Sequence, residues 1–412
     1  MNWVSYIFLT ALALSIIVQL WLDHRHIRHV HKHRSAVPEA FTASISLEAH
    51  QKAADYTLAK MNSGFFDLVI STVLLLFWTL GGGLEWLDNS LRAYELSPIY
   101  TGMLVIFSLM LISAVVDLPM SLYRTFVIEQ RFGFNRMTPG VFITDIVKNL
   151  IVGVLIGAPL IWVVLWLMED ANPLWWVYVW AVWMGFSLFM MWAYPAFIAP
   201  IFNKFEPLED TGLKQRIEDL LTRCGFKSNG VFVMDGSKRS SHGNAYFSGL
   251  GTNKRIVFFD TLLKSLQADE VEAVLAHELG HFKRKHIQKR IVSMAVLSLV
   301  GLGILASLLK LPEFFHGLGI SESSTYMGLI LFMLVAPLFN LYIHPLMSYF
   351  SRKHEFEADA YAAEQSDAGK LISALVKLYE ENANTLTPDP IYSAFHDSHP
   401  PAPVRIAHLS NT

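Results

Sequence analysis

At 412 residues, with 53% hydrophobic and only 16% charged side chains, the chain is too apolar for an ordinary water-soluble domain and has the balance of a bilayer protein. A formal net charge of -3 supplies no whole-chain basic field, which argues against nucleic acid as a partner. The single cysteine, Cys224, excludes an internal disulfide framework and leaves any catalytic metal to histidines and carboxylates.

Seven apolar runs, near residues 3 to 22, 64 to 87, 100 to 118, 146 to 168, 173 to 198, 291 to 310 and 326 to 350, are long enough to cross a bilayer as helices. The first has no basic stretch before it and no small-residue cleavage site after it, so it is expected to be a retained span rather than a signal peptide. The five histidines between His24 and His33 are read as part of a charged juxtamembrane segment that fixes topology, with metal sequestration as the alternative. Asp67 and Asp117 fall within or close to spans and should face an interior or a charge partner rather than lipid. The tryptophans Trp162, Trp166, Trp175, Trp176, Trp180, Trp183 and Trp192 crowd the fourth and fifth spans, some of them suited to the water interface.

Loop charge orients the spans. Arg25, Arg28, Lys32 and Arg34 follow the first run, and Arg124, Arg131, Arg136 and Lys148 follow the third; both loops should be cytoplasmic. Alternation then places residues 200 to 290 and 351 to 412 on the same cytoplasmic side, where they can meet. Within the first of these segments, Leu213, Ile217, Leu220, Leu221 and Cys224 recur at helical spacing before Gly225, and 231–234, 245–247 and 255–259 read as short strands.

Next, Asp269 and Glu270 open a helix that carries His277, Glu278 and His281 in the pattern HELGH. Two imidazoles four residues apart stand on one helix face and can take two corners of a tetrahedral Zn²⁺, while the glutamate between them can take a proton from water. A third ligand must come from elsewhere. In Ser351-Arg352-Lys353-His354-Glu355-Phe356-Glu357-Ala358-Asp359, just beyond the seventh run, Glu355 and Asp359 share a helix face, so one can bind metal while the other orients a ligand imidazole. Two histidines, one carboxylate and one open position make a catalytic rather than a structural zinc site. Glu357 points to another face and is expected to be a bystander.

The expected architecture is thus mostly α: a seven-span helical membrane protein with a small cytoplasmic α+β zinc metalloprotease domain of gluzincin type. It divides into a membrane region at 1–200, an α+β segment carrying HELGH at 201–290, two further spans at 291–350 and a segment completing the site at 351–412.

The chain resembles the type I CAAX prenyl proteases, integral-membrane zinc metallopeptidases of the endoplasmic reticulum, and their bacterial relatives. The resemblance rests on FVIEQRFGFNRMT at 126–138, DGSKRSSHGNAYFSGL at 235–250, RIVFFDTLL at 255–263, LAHELGHFKRKH at 275–286, SRKHEFEADAYA at 351–362, His399-Pro400 and Arg405-Ile406. It implies that His277, His281 and Glu355 hold one Zn²⁺ per chain, that Glu278 is the general base, and that Asp359 hydrogen-bonds a zinc histidine, His277. It places His399 and Arg405 near the metal, able to stabilise an oxyanion, although His399 could be a loop histidine and Arg405 the structural partner of an acid. It also makes Asn244-Ala245-Tyr246-Phe247 an edge strand that receives the peptide, with Asn244 or His242 touching substrate or oxyanion. Around these, the family encloses a large water-filled chamber within its seven helices.

The implied substrate is a peptide or protein, a prenylated CAAX terminus losing its last three residues in a eukaryote, or an unknown native substrate in a bacterium. Membrane lipid is the other implied partner, and oligomeric state stays open. The terminal His408-Leu409-Ser410-Asn411-Thr412 has no dilysine retrieval signal, so the bacterial inner membrane and the endoplasmic reticulum are both open. The alternatives are a membrane quality-control metalloprotease, a site-2-type protease with HExxH inside a span, which the charges flanking HELGH oppose, and a membrane zinc-binding or transport protein.

Overall fold

The structure, a computed structural model, describes residues 1–170, 172–248 and 255–411. Gly249, Leu250 and Thr412, which belong to segments discussed above, lie outside the described residues.

Helix α1 (Trp3–His33) starts from Asn2, whose side chain accepts from the backbone of Val4 and Ser5 while the Ser5 hydroxyl accepts from the Asn2 N–H. This reciprocal cap satisfies donors that the helix cannot. Helix α2 (Leu47–Trp78) starts well before the expected residue 64. Hydropathy is blind to its first turns, which carry Glu48, Lys52, Asp55 and Lys60 but bury His50, Ala53, Ala54, Tyr56 and Thr57 along one stripe. Nor does this span continue to residue 87: Gly82, at φ +76°, ends it and opens the separate helix α3 (Gly83–Arg92). Helix α4 (Pro98–Tyr123) runs on as a π-helical turn, Arg124–Glu129, and is followed by α5 (Pro139–Glu169). Helix α6 (Trp175–Ala193) passes through a second π turn, Tyr194–Ile198, into α7 (Ala199–Phe202).

Next comes an α+β unit. Strand β1 (Phe205–Pro207), which the sequence did not signal, precedes α8 (Thr211–Arg223), β2 (Val231–Met234), β3 (Ala245–Ser248), β4 (Arg255–Phe259), α9 (Asp260–Ser265) and α10 (Ala268–Lys283). The sheet order is β1-β2-β4-β3, with β2 and β4 parallel and both outer pairs antiparallel, so β3 is an edge strand. The chain returns to the membrane region as α11 (His286–Leu308), α12 (Pro312–Gly317) and α13 (Thr325–Val335). A 3-10 turn, Ala336–Phe339, leads into α14 (Asn340–Gln365), and α15 (Ala368–Glu381), α16 (Pro390–His396) and α17 (Ala402–Leu409) follow.

Seven helical stretches among the described residues are long and apolar enough to cross a membrane, and α10 is not one of them. The seventh runs from Thr325 to Gln365 without a break at residue 350, so Glu355 and Asp359 stand on the same helix as the span, not beyond it. Charge ends a hydropathy window but not a helix, and α14 continues because its later residues are buried at helical spacing: Glu355, Ala358, Asp359 and Ala362.

One apolar core unites the two polar segments. Ile217 and Leu220 of α8, Phe258 of β4 and Leu275 of α10 meet Ala362 of α14, Ala374 of α15 and Leu409 of α17. Burying each large member contributes about 1.5–3 kcal/mol, so residues more than a hundred positions apart in sequence are held as one body. At the other end of α1, Arg25 donates two hydrogen bonds to Asp389, at 3.3 and 3.0 Å, and His26 stacks on Tyr392 with ring centroids 4.0 Å apart. The histidine-rich segment therefore clasps α16, in addition to any part its charge plays in topology.

Candidate metal centre

Helices α10 and α14 cross at Gly280. A Cβ built there would stand 2.9 Å from Ala358 Cα and 3.0 Å from the Ala358 carbonyl oxygen, so only glycine lets the two backbones meet. The glycine of HELGH thus brings the helix with both histidines against the helix with Glu355 and Asp359. We expect Gly280→Ala to cost about 1–3 kcal/mol of stability through overpacking and to empty the metal site. Thermal melting and metal analysis of the purified protein check this, and a normal melting temperature with a full metal load would refute it. The start of α10 is fixed as well: buried Glu270 accepts from Gln267 N–H, from the Ser373 hydroxyl at 2.6 Å and from Lys377 Nζ at 2.7 Å, which ties α10 to α15.

Across the crossing, His277 Nε2 lies 3.2 Å from His281 Nε2 and 3.4 Å from Glu355 Oε2, and His281 Nε2 lies 3.3 Å from Glu355 Oε1. Among the described residues this is the one group of histidine, cysteine and carboxylate side chains arranged to hold a metal. The triangle suits a cation: tetrahedral bonds of about 2.0 Å put neighbouring donors roughly 3.3 Å apart. Glu355 Oε2 is also buried without a hydrogen-bond partner, a costly condition that a bound metal relieves. Burial alone would depress His277, but the adjacent carboxylates of Asp359 and Glu355 outweigh it and hold the imidazolium up to about 9.

Behind the triangle, His277 Nδ1 meets Asp359 Oδ1 at 2.8 Å. Asp359 is fully buried, and its two oxygens also accept from Arg405, Nε to Oδ2 at 2.9 Å and Nη2 to Oδ1. Arg405 is itself buried, with Nη1 3.6 Å from Glu355 Oε2. Of the two roles the sequence left open for Arg405, donor to an oxyanion or partner of an acid, its guanidinium makes the second contact, with Asp359. His399 does stand on the open side, its side chain 64% exposed, with Nε2 3.4 Å from Glu355 Oε1. Glu278 is half-buried, makes no hydrogen bond or ion pair among the described residues, and lines a small cavity with Ala245, Tyr246 and Phe247 of β3.

Asn244 and His242 part company. Asn244 is exposed at the start of β3, whereas His242 is locked: Nδ1 donates to Asn382 Oδ1 at 3.1 Å, Nε2 lies 3.5 Å from Glu129 Oε2, and the ring stacks on Phe134 at 4.3 Å. The FVIEQRFGFN segment supplies Glu129 and Phe134 and pairs Asn135 with Ser240, so it clamps the loop leading into β3. Asp67 pairs with Arg124 at 2.9 Å, the charge-partner alternative.

Two residues escaped sequence reasoning. His286 Nδ1 lies 3.0 Å from His281 Nδ1, and His286 Nε2 donates to Glu357 Oε2 at 3.0 Å, so Glu357 is no bystander. Five residues on an unbroken helix would turn His286 some 140° away from His281. The chain avoids this because Lys285, at φ +58°, breaks the helix between α10 and α11, and no glycine or proline announces that break.

A multi-span helical scaffold carrying an HExxH helix, a carboxylate from a second helix and an adjoining sheet with an open edge strand has the parts of a membrane metallopeptidase. Residues 26–204 match the family profile described as CAAX prenyl protease N-terminal, five membrane helices, and residues 207–412 match peptidase family M48. CAAX prenyl protease 1 homolog of Arabidopsis thaliana is 37% identical over 379 residues, covering 90% of this chain and 89% of its own. CAAX prenyl protease 1 of Saccharomyces cerevisiae is 35% identical, covering 90% and 88%. The human homologue is 33% identical, covering 98% and 95%. The crystal structure of S. mikatae Ste24p superimposes with a TM-score of 0.90 at 32% identity, covering 99% of both chains. The chain belongs to peptidase family M48 and is a membrane metallopeptidase of the CAAX prenyl protease type.

Proposed function

We propose that this chain is a zinc endopeptidase that removes the C-terminal tripeptide from prenylated CAAX proteins at the cytoplasmic face of its membrane. One observation carries the reading: the donor triangle of His277, His281 and Glu355 includes the two histidines that flank Glu278 on α10, and Glu278 packs against the edge strand β3. Relatives along nearly the whole chain bear the CAAX prenyl protease name, and the positive loops after the first and third spans support the cytoplasmic side.

His277, His281 and Glu355 hold the metal, and two imidazoles with one carboxylate favour zinc over magnesium or calcium. When bound, zinc supplies Lewis acidity toward the scissile carbonyl and toward water. An extended peptide adds to β3 as a further strand, which aligns its backbone along the sheet edge, and the exposed Asn244 at the strand's start can donate to it. Glu278 takes the proton from the attacking water and returns it to the leaving amine. His399, on the open side, donates an N–H toward the oxyanion. Asp359, with three donors already on its two oxygens, is a poor shuttle; it orients His277, and Arg405 holds Asp359.

The experiment uses detergent-purified protein with a farnesylated CAAX peptide and its unprenylated twin. Zinc-dependent release of the tripeptide from the farnesylated peptide, at least tenfold faster than from its twin, is the expected result. Equal cleavage of both would replace the prenyl specificity with a general membrane-associated protease, and no cleavage would overturn the proposal.

A further inference from the structure

We infer that His286 and Glu357 form a positioning relay for the metal ligand His281. The inference rests on the metal site proposed above. Glu357 is a carboxylate that accepts, so the proton it meets belongs to His286 Nε2, 3.0 Å away. A neutral His286 then presents a bare Nδ1 to His281 Nδ1, 3.0 Å away, and accepts its proton. That leaves the lone pair of His281 on Nε2, the atom facing His277 and Glu355. The relay therefore selects the tautomer of His281 that can bind metal and points its ring.

The geometry is held from every side. His286 is buried, and its ring stacks on His354 of α14 with centroids 4.0 Å apart and planes 14° from parallel. The left-handed backbone of Lys285, a conformation unfavourable for a non-glycine residue, is what folds the first residue of α11 back over the end of α10. Glu357 stands on α14 two residues from Glu355. Helix α14 thus backs both histidines of α10: His277 directly through Asp359, and His281 at one remove through Glu357 and His286. A carboxylate behind each ligand imidazole raises its basicity and fixes its orientation.

The test compares wild type with His286→Ala, His286→Asn, Glu357→Gln and Lys289→Ala in full-length, detergent-purified protein. Zinc affinity is measured by competition with a chelator, and melting temperature is measured with and without zinc. Lys289 Nζ, 3.8 Å from Glu357 Oε2, reaches only the outer carboxylate of the relay, and its loss leaves the His286–Glu357 hydrogen bond in place. His286→Ala should weaken zinc binding about 10- to 100-fold and Glu357→Gln about tenfold. His286→Asn, whose amide oxygen can still accept from His281, should recover most of the loss, and Lys289→Ala should match wild type. The zinc-free melting temperature should hold while the increment on adding zinc shrinks. Zinc affinity within twofold of wild type in both His286→Ala and Glu357→Gln would overturn the relay and leave the metal site standing. So would a lowered zinc-free melting temperature with the zinc increment intact, which marks a merely structural role. Failure of wild type to bind zinc would overturn the metal site itself.

Discussion

Replacing Glu278 by glutamine should abolish peptide cleavage while leaving the metal in place. Removing a general base costs about 10²- to 10⁴-fold in rate. Glu278 lies outside the donor triangle and makes no hydrogen bond or ion pair among the described residues, so neither metal affinity nor fold depends on its charge. The amide has the same shape but cannot take a proton. Turnover of the farnesylated peptide and metal content, measured on the same preparation, separate the two effects. Activity within tenfold of wild type would remove Glu278 from the chemistry, and a metal-free variant would reassign it to the ligand set.

The second large effect belongs to the buried pair behind His277. Asp359→Ala leaves the Arg405 guanidinium buried without its partner, and breaking a buried pair in this way costs about 3–5 kcal/mol. It also strips His277 of its acceptor, which should weaken metal binding about 10- to 100-fold. The double variant Asp359→Ala, Arg405→Met separates the contributions: an apolar side chain in place of the orphaned cation should restore most of the melting temperature but not the metal affinity. A single variant that melts and binds metal like wild type would show that Asp359 neither neutralises Arg405 nor orients His277.

Much of this site was legible in the sequence because its members obey helical spacing. His277 and His281 are one turn apart on α10, and Glu355 and Asp359 are one turn apart on α14, so each pair shares a face whatever surrounds it. The strands β2, β3 and β4 were legible for a similar reason, being short runs rich in β-branched and aromatic residues between turn formers. The relay through His286 was not, since it depends on a left-handed lysine. Arg405 was expected near the metal with two roles open, and only packing shows that Asp359 holds its guanidinium. For His242, one of two residues expected at the substrate, the sequence did not show the contacts with Asn382, Glu129 and Phe134, which lie far away along the chain. Span boundaries failed where charged residues continue a helix, in the first turns of α2 and the second half of α14, because helix formation follows burial along one stripe rather than mean hydropathy.

The donors sit on two helices, α10 and α14, separated in the chain by the sixth candidate span and the apolar first part of the seventh, and α17 supplies the arginine that holds Asp359. On the ribosome, therefore, a nascent chain that already displays His277, Glu278 and His281 is still without Glu355 and Arg405. At synthesis rates of about 5–20 residues per second, that interval lasts on the order of ten seconds. Through it the emerging polypeptide holds two of the three donors and lacks the third. Competence arrives in one late step, when α14 docks on Gly280 and α17 packs behind it.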